Sequence, residues 1–268
     1  MTRSSNKDVY ESEDVLDIYS PQEFLLQKPE ETILNEFKDK LPEMRMLDIG
    51  IGGGRTTQYF APLAKEYFGV DYARGMVKRC QQRYRELPGK ILFEVADARD
   101  LSRFEDSYFD FVLFSFNGID YVNNSDRLAI FTEIRRITRK SGFFFFSTHN
   151  LNTAQELFSF RLSIHALTLF KETRRLILMR FFNRKMWKVL RGKPEEQKYL
   201  IFNDGVHNFG LETYYITPKK QIKQLIDLSF SNIKVFGLFD GREIQNSANL
   251  QSTKDPWLYY LCKNNKPS

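Results

Sequence analysis

The sequence predicts an α/β protein with a doubly wound, mostly parallel sheet of seven strands. Short apolar segments alternate with helical sequence over residues 42–150, which is typical of consecutive βα repeats. Three of these segments end at or close to an acid, namely Asp48, Asp71 and Asp97. Two further strands are predicted near the C-terminus with no helix between them, so that pair is expected to be antiparallel.

The first predicted strand leads into a turn that is rich in glycine. Asp48 is followed by Gly50, Gly52 and Gly54 before helical sequence resumes. Glycine has no side chain to keep a ligand away from backbone N–H donors, and it tolerates a positive φ in a tight turn. A dinucleotide-binding turn would carry its third glycine at the position of Arg55. The pattern is therefore Asp-x-Gly-x-Gly-x-Gly, and a nicotinamide dinucleotide is not the expected ligand.

The next strands bring further acids to the same edge of the sheet. Asp71 ends the second strand, about 20 residues after the turn, which is the spacing of a ribose-binding acid in a βαβ unit. Asp97 and Ala98 follow the third strand, and a fourth strand is predicted over 108–116. Because the carboxyl ends of parallel strands share one edge, these residues are expected to border a single crevice.

The other elements follow from hydrophobic periodicity and from residues that start or stop helices. The fifth strand is apolar on both faces, as a buried parallel strand should be. Residues 241–255 are predicted to be a polar loop. The remaining predicted elements are helices over 55–65, 73–87, 124–138 and 218–229, and strands over 143–150, 199–202, 211–216, 232–239 and 256–263.

The glycine turn, Asp71 and the Asp97-Ala98 pair together resemble the cofactor-binding motifs of the class I methyltransferases, which use S-adenosylmethionine. The resemblance covers about residues 42–150 and implies a Rossmann-like fold, with S-adenosylhomocysteine as the product. It also implies that Asp48 and Asp71 bind the ribose, while Asp97 and Ala98 hold the adenine. The cofactor-binding residues expected from the resemblance are Asp48, Gly50, Gly52, Gly54, Asp71, Tyr72, Met76, Asp97, Ala98 and Ser115.

The same resemblance divides the chain into three parts. Residues 42–150 and 217–268 are expected to form the S-adenosylmethionine-binding core, and residues 151–216 an inserted lid or substrate-binding subdomain. Residues 1–41 are expected to form an N-terminal helical segment or cover. For the polar tail at residues 1–15 and the nearby Tyr10 and Tyr19, local packing is the favoured interpretation and a cover over the cofactor mouth the alternative. For Met76, packing inside the protein is as good an interpretation as contact with adenine.

The insert carries an unusual concentration of positive charge. Between Arg161 and Lys193 there are ten Lys or Arg and one acid, Glu172, interleaved with apolar residues. This pattern is compatible with an anionic membrane surface, the groove of a partner or RNA phosphates. The favoured interpretation is a helical lid that packs its apolar side on the core and turns its cationic side to solvent. A long helix is expected to begin at Asn152-Thr153, and the insert is expected to cover the acceptor side of the crevice.

Composition and residue counts limit the other classes of function. The formal net charge of +6 and the pI near 9.1 favour anionic ligands or surfaces without selecting one. Two cysteines outside any C-x-x-C spacing and three histidines make a structural zinc site, another metal site or a disulfide framework unexpected. Residues 1–13 lack the apolar stretch of a signal peptide, and no apolar run reaches about 18 residues, so a cytoplasmic location is expected.

Methyl transfer from a sulfonium depends above all on placement, with the acceptor atom about 3–3.5 Å from the methyl carbon and in line with the sulfur. A general base is needed only when the acceptor arrives protonated. His149, after the fifth strand, and His207, in the insert, are the first candidates, and Tyr121, Asp120 and Tyr214 are weaker ones. A lone histidine is more often structural, and the sequence does not choose between the two.

The favoured function is a methyltransferase that acts on an oxygen or nitrogen of a small-molecule acceptor by in-line displacement. Ser115-Phe116-Asn117-Gly118, after the fourth strand, lacks the Asn-Pro-Pro-Tyr pattern of enzymes that methylate exocyclic base amines. Two alternatives stay open. One is an enzyme that docks on RNA or on an anionic membrane through the basic helix, and the other is a protein that binds S-adenosylmethionine without catalysis. The sequence determines neither the acceptor nor the oligomeric state.

Overall fold

The computed structural model describes residues 12–19, 25–159 and 166–266, and within these residues nine strands form one sheet. The strands are β1 (Arg45–Ile49), β2 (Glu66–Asp71), β3 (Ile91–Val95), β4 (Phe109–Phe114), β5 (Thr138–Asn150), β6 (Leu200–Phe202), β7 (Thr213–Ile216), β8 (Phe230–Gly237) and β9 (Trp257–Asn264). The helices are α1 (Glu13–Ile18), α2 (Lys28–Phe37), α3 (Thr57–Phe60), α4 (Arg74–Arg83), α5 (Asn124–Ile137), α6 (Ala166–Phe182), α7 (Trp187–Arg191), α8 (Pro218–Asp227) and α9 (Ser247–Ser252). Short 3₁₀ helices lie at Leu41–Glu43, Gly118–Asp120, Leu151–Phe158 and Pro194–Glu196.

Seven of the strands form the predicted core sheet, in the order β3-β2-β1-β4-β5-β9-β8. The five strands from β1 to β5 are parallel to one another. β9 is antiparallel both to β5 and to β8. The predicted doubly wound, mostly parallel sheet is therefore confirmed, and so is its antiparallel final pair.

β5 lies in the middle of the core and is covered on both faces. Phe144 and Phe146 pack against Phe131 of α5, with ring centroids 6.0 and 5.5 Å apart. Phe145 packs on the opposite face against Tyr259, with ring centroids 5.3 Å apart. Successive side chains of a strand point to opposite faces, so a continuous apolar strand requires helices or other cover on both sides of the sheet.

The insert extends the sheet beyond the end of β4. β6 and β7 form an antiparallel pair close to the two strands predicted there. β7 runs parallel to the last residues of β5, with Tyr215 opposite His149. β4 pairs with β5 only as far as Phe146, and the other edge of β5 is occupied by β9. β7 therefore occupies the edge that β4 leaves, at the carboxyl end of the sheet.

Three predicted elements differ in the structure. The helix predicted over 55–65 is a single turn, α3, because Pro62 has no N–H with which to continue the hydrogen-bond ladder. The long helix expected at Asn152 is a 3₁₀ segment, and the basic sequence forms the separate helix α6. The polar loop predicted over 241–255 contains α9, which is capped by the side chain of Asn246.

α6 is oriented differently from the prediction. Phe170, Ile177 and Phe181 are 67%, 62% and 62% exposed, whereas Met179 is fully buried. The expectation that the apolar side of this helix packs on the core is wrong for these three side chains. The small apolar core of the insert is built instead by residues of the 3₁₀ segment after β5, of α7 and of the β6–β7 pair.

A buried carboxylate on α2 connects this helix to the sheet. Both oxygens of Glu30, which is fully buried, pair with the guanidinium of Arg55, and one of these contacts measures 2.6 Å. The same carboxylate accepts hydrogen bonds from Ser115 Oγ and, at 3.0 Å, from the hydroxyl of Tyr259. A carboxylate in the protein interior is tolerated only when it is paired and hydrogen-bonded. α2, the glycine turn and the ends of β4 and β9 are therefore held together at this point.

We expect Glu30→Gln to lower the free energy of unfolding by about 3 kcal/mol, because the largely buried Arg55 loses its countercharge. Chemical denaturation measures this change as a lower midpoint with an unchanged slope. Glu31→Gln is the matched control, since Glu31 is 44% exposed and pairs with the exposed Lys28. The control should shift the free energy by less than about 0.5 kcal/mol. Equal midpoints for the two variants would contradict the stabilising role of Glu30.

Candidate functional site

A crevice of about 740 Å³ lies at the carboxyl ends of β1, β2 and β4. This volume is within the range of about 300–1,000 Å³ that is usual for small-molecule sites. Ile18 and Tyr19, at the end of α1, also border it, and the carbonyl of Tyr19 accepts a hydrogen bond of 3.1 Å from the N–H of Gly53. Of the predicted cofactor-binding residues, the crevice is lined by Asp48, Gly50, Gly52, Asp71, Tyr72, Met76, Asp97, Ala98 and Ser115.

The three predicted glycines of the turn have different surroundings. Gly52 has a φ of +51°, and a Cβ there would meet only Tyr19, at 3.8 Å, so a side chain would occupy open crevice space. Gly54 has a φ of +89°, and a Cβ there would lie 2.3 Å from the ring of Tyr84. Gly54 is not among the described residues that line the crevice. The absence of a side chain at Gly54 allows the turn to pack closely against Cys80 of α4 and against Tyr84, which follows α4.

Asp71 is at the end of β2 and faces the crevice. Its two carboxylate oxygens accept hydrogen bonds from the N–H groups of Gly52, at 3.0 Å, and Ala73, at 2.9 Å. Burial raises the pKa of Asp71 to about 6, although the two N–H donors act in the opposite direction. The carboxylate has further lone pairs, which are available to hydroxyl donors of a ligand.

Asp48, the other predicted ribose acid, is held from inside the protein. Its Oδ2 accepts hydrogen bonds from Thr56 Oγ1, at 2.5 Å, and from the hydroxyl of Tyr67, at 2.6 Å. Burial raises the pKa of Asp48 to about 6 as well. These contacts fix the turn to β2, and the binding of ribose by Asp48 stays a prediction.

The acid after β3 is engaged by an arginine that the sequence analysis did not single out. The carboxylate of Asp97 lies 2.6 Å from the guanidinium of Arg99, which also reaches Asp126 at 2.9 Å. Arg99 and Ala98 line the crevice together with Asp97. The only sequence signal for this arrangement is an arginine two residues after the acid. Adenine binding by Asp97 and Ala98 stays a prediction.

The remaining predicted cofactor residues combine packing with access to the crevice. Met76 is 1% exposed, packs in a small cluster with Leu16 and Ala73 and borders the crevice, and its contact with adenine stays a prediction. Ser115 lines the crevice while its Oγ donates to Glu30. Tyr72 follows Asp71 directly and forms part of the wall.

The catalytic candidates occupy three different positions. Tyr121 lines the crevice, whereas His149 and His207 are not among the described residues that do. The ring of His149 lies behind Tyr121, with centroids 6.4 Å apart. His207 Nε2 lies 3.3 Å from the hydroxyl of Tyr19, so the insert and α1 meet beside the crevice. Burial lowers the pKa of His207, which favours its neutral form.

His149 is held by a buried acid. Asp120 Oδ2 is 2.7 Å from His149 Nδ1 and 2.7 Å from the backbone nitrogen of the same residue. The other oxygen of Asp120 binds Thr148 Oγ1 at 2.7 Å and pairs with the fully buried Arg127. His149 Nε2 lies 3.4 Å from Asn117 Nδ2. Asp120 was a weak candidate from sequence, and Arg127 was missed because nothing in its neighbourhood in the chain marks it as buried.

The residues that the structure describes include no group of three or more His, Cys, Asp or Glu side chains arranged to hold a metal ion. The polar side chains that line the crevice include carboxylates, hydroxyls and the guanidinium groups of Arg55 and Arg99, and the N–H of Gly52 donates to one of these carboxylates, Asp71. Such a site binds an organic ligand through hydrogen bonds and apolar contact.

The sheet is doubly wound and ends in an antiparallel pair, and the glycine turn after β1 and the acid at the end of β2 line one crevice. This is the architecture of the class I methyltransferases. Residues 46–142, from β1 into β5, match the family model described as a methyltransferase domain. Residues 46–142 therefore form a methyltransferase domain within a sheet that has the class I methyltransferase fold, and the methyl donor of that class is S-adenosylmethionine. The predicted class, enzymatic nature and cofactor are thereby confirmed.

No curated protein sequence matches the chain significantly. An S-adenosylmethionine-dependent methyltransferase from Mesorhizobium loti has the same fold, with 19% identity over 88% of this chain and 97% of that one, and a TM-score of 0.58. One from Clostridium acetobutylicum shares 13% identity over 96% of each chain, with a TM-score of 0.57. A third structure is the 1,6-didemethyltoxoflavin-N1-methyltransferase of Burkholderia thailandensis, solved with 1,6-didemethyltoxoflavin and S-adenosylhomocysteine. Its sequence identity is 12% over 89% of this chain and 77% of that one, and the TM-score is 0.56.

We expect the affinity for S-adenosylhomocysteine to fall about tenfold between pH 7 and pH 5 if the ribose hydroxyls donate to Asp71. The pKa of this carboxyl is raised to about 6, so below that pH it is protonated and accepts hydroxyl donors less well. Titration calorimetry at a series of pH values measures the effect. In Asp71→Asn the affinity should be lower at pH 7 and independent of pH. A pH dependence that survives this substitution would assign the titrating group elsewhere, with Asp48 as the next candidate.

Proposed function

We propose that this protein transfers the methyl group of S-adenosylmethionine to an oxygen or nitrogen of a small-molecule acceptor. When bound, S-adenosylmethionine supplies a methyl group that is already activated by the positive sulfur. The observation that carries the proposal is the crevice at the strand ends, which combines bare backbone at Gly52 with the carboxylate of Asp71. In this proposal Asp71 holds the ribose, and Met76 and Ala98 contact the adenine.

The enclosure of the crevice supports a small acceptor. α1 closes one side, where Tyr19 is hydrogen-bonded to the glycine turn and adjoins His207 of the insert. Phe116 and Tyr121 form part of the wall after β4. Such walls suit a compact, partly apolar molecule better than a polymer that has to pass through. The Burkholderia enzyme, solved with 1,6-didemethyltoxoflavin, is an example of this fold with an acceptor of that size.

His149 is the general base in this proposal, and Asp120 positions it. If Asp120 Oδ2 accepts the Nδ1 proton, the lone pair of the ring is at Nε2, next to Asn117, whose chain neighbours Phe116 and Gly118 line the crevice. An acceptor that enters between Tyr121 and Asn117 can then give its proton to Nε2. In the free protein His149 Nε2 lies 3.4 Å from Asn117 Nδ2, and the methyl acceptor would replace this long contact. Asn117 Oδ1 is buried and lacks a hydrogen-bond partner among the described residues. In this proposal it accepts a hydrogen bond from the substrate.

Calorimetry with S-adenosylmethionine, S-adenosylhomocysteine and NAD tests the ligand class. We expect both adenosyl ligands to bind and NAD to give no signal, because Arg55 fills the position of the third glycine of a dinucleotide turn. Purified protein with methyl-labelled donor is then incubated with separate pools of metabolites, lipids and RNA. Label confined to RNA would contradict the proposed acceptor class, and binding without transfer to any pool would identify a protein without catalysis.

With an acceptor in hand, His149→Gln should lower kcat by a factor of about 10²–10⁴ while the affinity for S-adenosylhomocysteine stays unchanged. The loss should shrink at high pH, because hydroxide replaces the missing base. His207→Gln is the comparison, since His207 contacts Tyr19 and not the Asp120 pair. A wild-type rate and pH profile in His149→Gln, together with a large loss in His207→Gln, would transfer the role of base to His207.

A further inference from the structure

The outward face of α6 is apolar, which is the reverse of an ordinary surface helix. Phe170, Ile177 and Phe181 are each more than 60% exposed. Positions 170, 174, 177 and 181 follow one another at steps of three or four residues, so they form one stripe along the helix. Arg174, the fourth member of the stripe, is also exposed.

The inward face of α6 is held by specific contacts. Glu172 pairs with Arg175 at 2.6 Å, and Arg175 donates hydrogen bonds to the carbonyls of Leu157 and Ser159. At the C-terminal end of the helix, the side chain of Asn183 exchanges two hydrogen bonds with the backbone of Asn203, at 2.7 and 3.0 Å. The helix is therefore docked through the Glu172–Arg175 pair and the buried Met179, and the outward position of the apolar stripe is part of the packed structure.

The charges around the stripe are positive. Arg174 lies within it, Arg180 is exposed one turn further on, and Lys171, Arg184 and Lys185 are exposed as well. The one acid between residues 166 and 191 is Glu172, which is turned inward and neutralised by Arg175. Within residues 166–191 the exposed charged side chains are all cations, and they lie beside exposed aromatic and aliphatic groups. That combination is typical of helices that lie in the interface of an anionic bilayer.

We propose that α6 docks this enzyme on the surface of an anionic lipid bilayer. Phe170, Ile177 and Phe181 would enter the boundary between head groups and acyl chains, and the surrounding arginines and lysines would contact lipid phosphates. No helix in the described part of the chain is both long and apolar enough to cross a bilayer, so the association is peripheral. A second copy of the chain is a poor occupant, because the same cations would face one another. RNA has phosphates that the cations could bind, but it has no apolar interior in which the exposed side chain of Ile177 could be buried.

The docking face is connected to the region of the crevice. Phe182, at the end of α6, stacks on Phe209 with ring centroids 5.1 Å apart and planes 13° apart. Phe209 belongs to the same left-handed turn as His207, and His207 contacts Tyr19 at the crevice wall. A helix fixed on a bilayer would therefore hold the segment that adjoins the crevice.

Vesicle flotation of the full chain tests the proposal. One set of vesicles is phosphatidylcholine, and in the other about a third of it is replaced by phosphatidylglycerol. We expect binding to the anionic vesicles, weak binding to the neutral ones, and a decrease with added salt. Binding to neither set, or equal binding to both, would overturn the proposal. Self-association through α6, or RNA binding in the absence of vesicle binding, would also overturn it.

The triple variant Phe170→Ser, Ile177→Ser and Phe181→Ser should bind the anionic vesicles about tenfold more weakly or worse. Its matched control changes three exposed apolar residues elsewhere to serine, Leu25, Ile226 and Phe239, which are 78%, 59% and 70% exposed. The control should bind like the wild type. Both variants alter exposed side chains, and an unchanged thermal midpoint checks that each is folded. Full binding by the α6 variant, or an equal loss in the control, would overturn the assignment of the docking surface.

A charge pair separates electrostatic attraction from insertion. Arg174→Glu, in the stripe, should weaken binding to anionic vesicles more than Lys78→Glu, which makes the same charge change at an exposed position of α4. Equal effects of the two substitutions would mean that net charge alone attracts the protein to the vesicles, and the proposed docking face would be wrong. These measurements need no methyl donor, so their outcome is independent of the proposed catalytic function.

Discussion

The buried carboxylate of Glu30 connects parts of the chain that are far apart in sequence. It lies on α2 and binds Arg55 after the glycine turn, Ser115 after β4 and Tyr259 of β9. An unpaired carboxylate in the interior would be costly, so the packed state requires these donors to converge. The crevice depends on the same convergence, since Arg55 and Ser115 also line it. The ligand site is therefore preformed by a structural ion pair directly behind its wall.

Asp48 and Asp71 look equivalent in sequence, but they make different contacts around the glycine turn. Asp48 is satisfied by Thr56 and Tyr67 inside the protein, and it fixes the turn to its neighbours. Among the described residues, the hydrogen-bond donors to Asp71 are backbone N–H groups, and its carboxylate keeps lone pairs toward the crevice. Burial raises the pKa of both to about 6, and both side chains line the crevice, so either acid couples its protonation to binding if it accepts a hydrogen bond from the ligand. The hydrogen bonds of both acids order the turn before a ligand arrives, which lowers the entropic cost of binding.

The insert contributes to the molecule on two sides. Through β7 it joins β5 at His149, where Asp120 and Arg127 form a buried charged group beside the crevice. Through α6 it presents a cationic and apolar face to the outside. The proposed base and the proposed docking surface therefore belong to adjoining parts of one structure. Any event that moves α6 acts on a segment that adjoins the acceptor side.

The sequence by itself determined the strands of the core sheet, the glycine turn and the acids at the ends of β1 and β2. These features depend on periodicity and spacing between residues that are close in the chain. Only the tertiary structure decided that Gly54 packs against Tyr84, that Asp120 holds His149, and which way α6 faces. Contacts of this kind join separate elements, and a local pattern of apolar and charged residues does not specify which element will cover it. The basic helix had a readable amphipathic sequence, but its direction followed from polar contacts to residues before and after it in the chain.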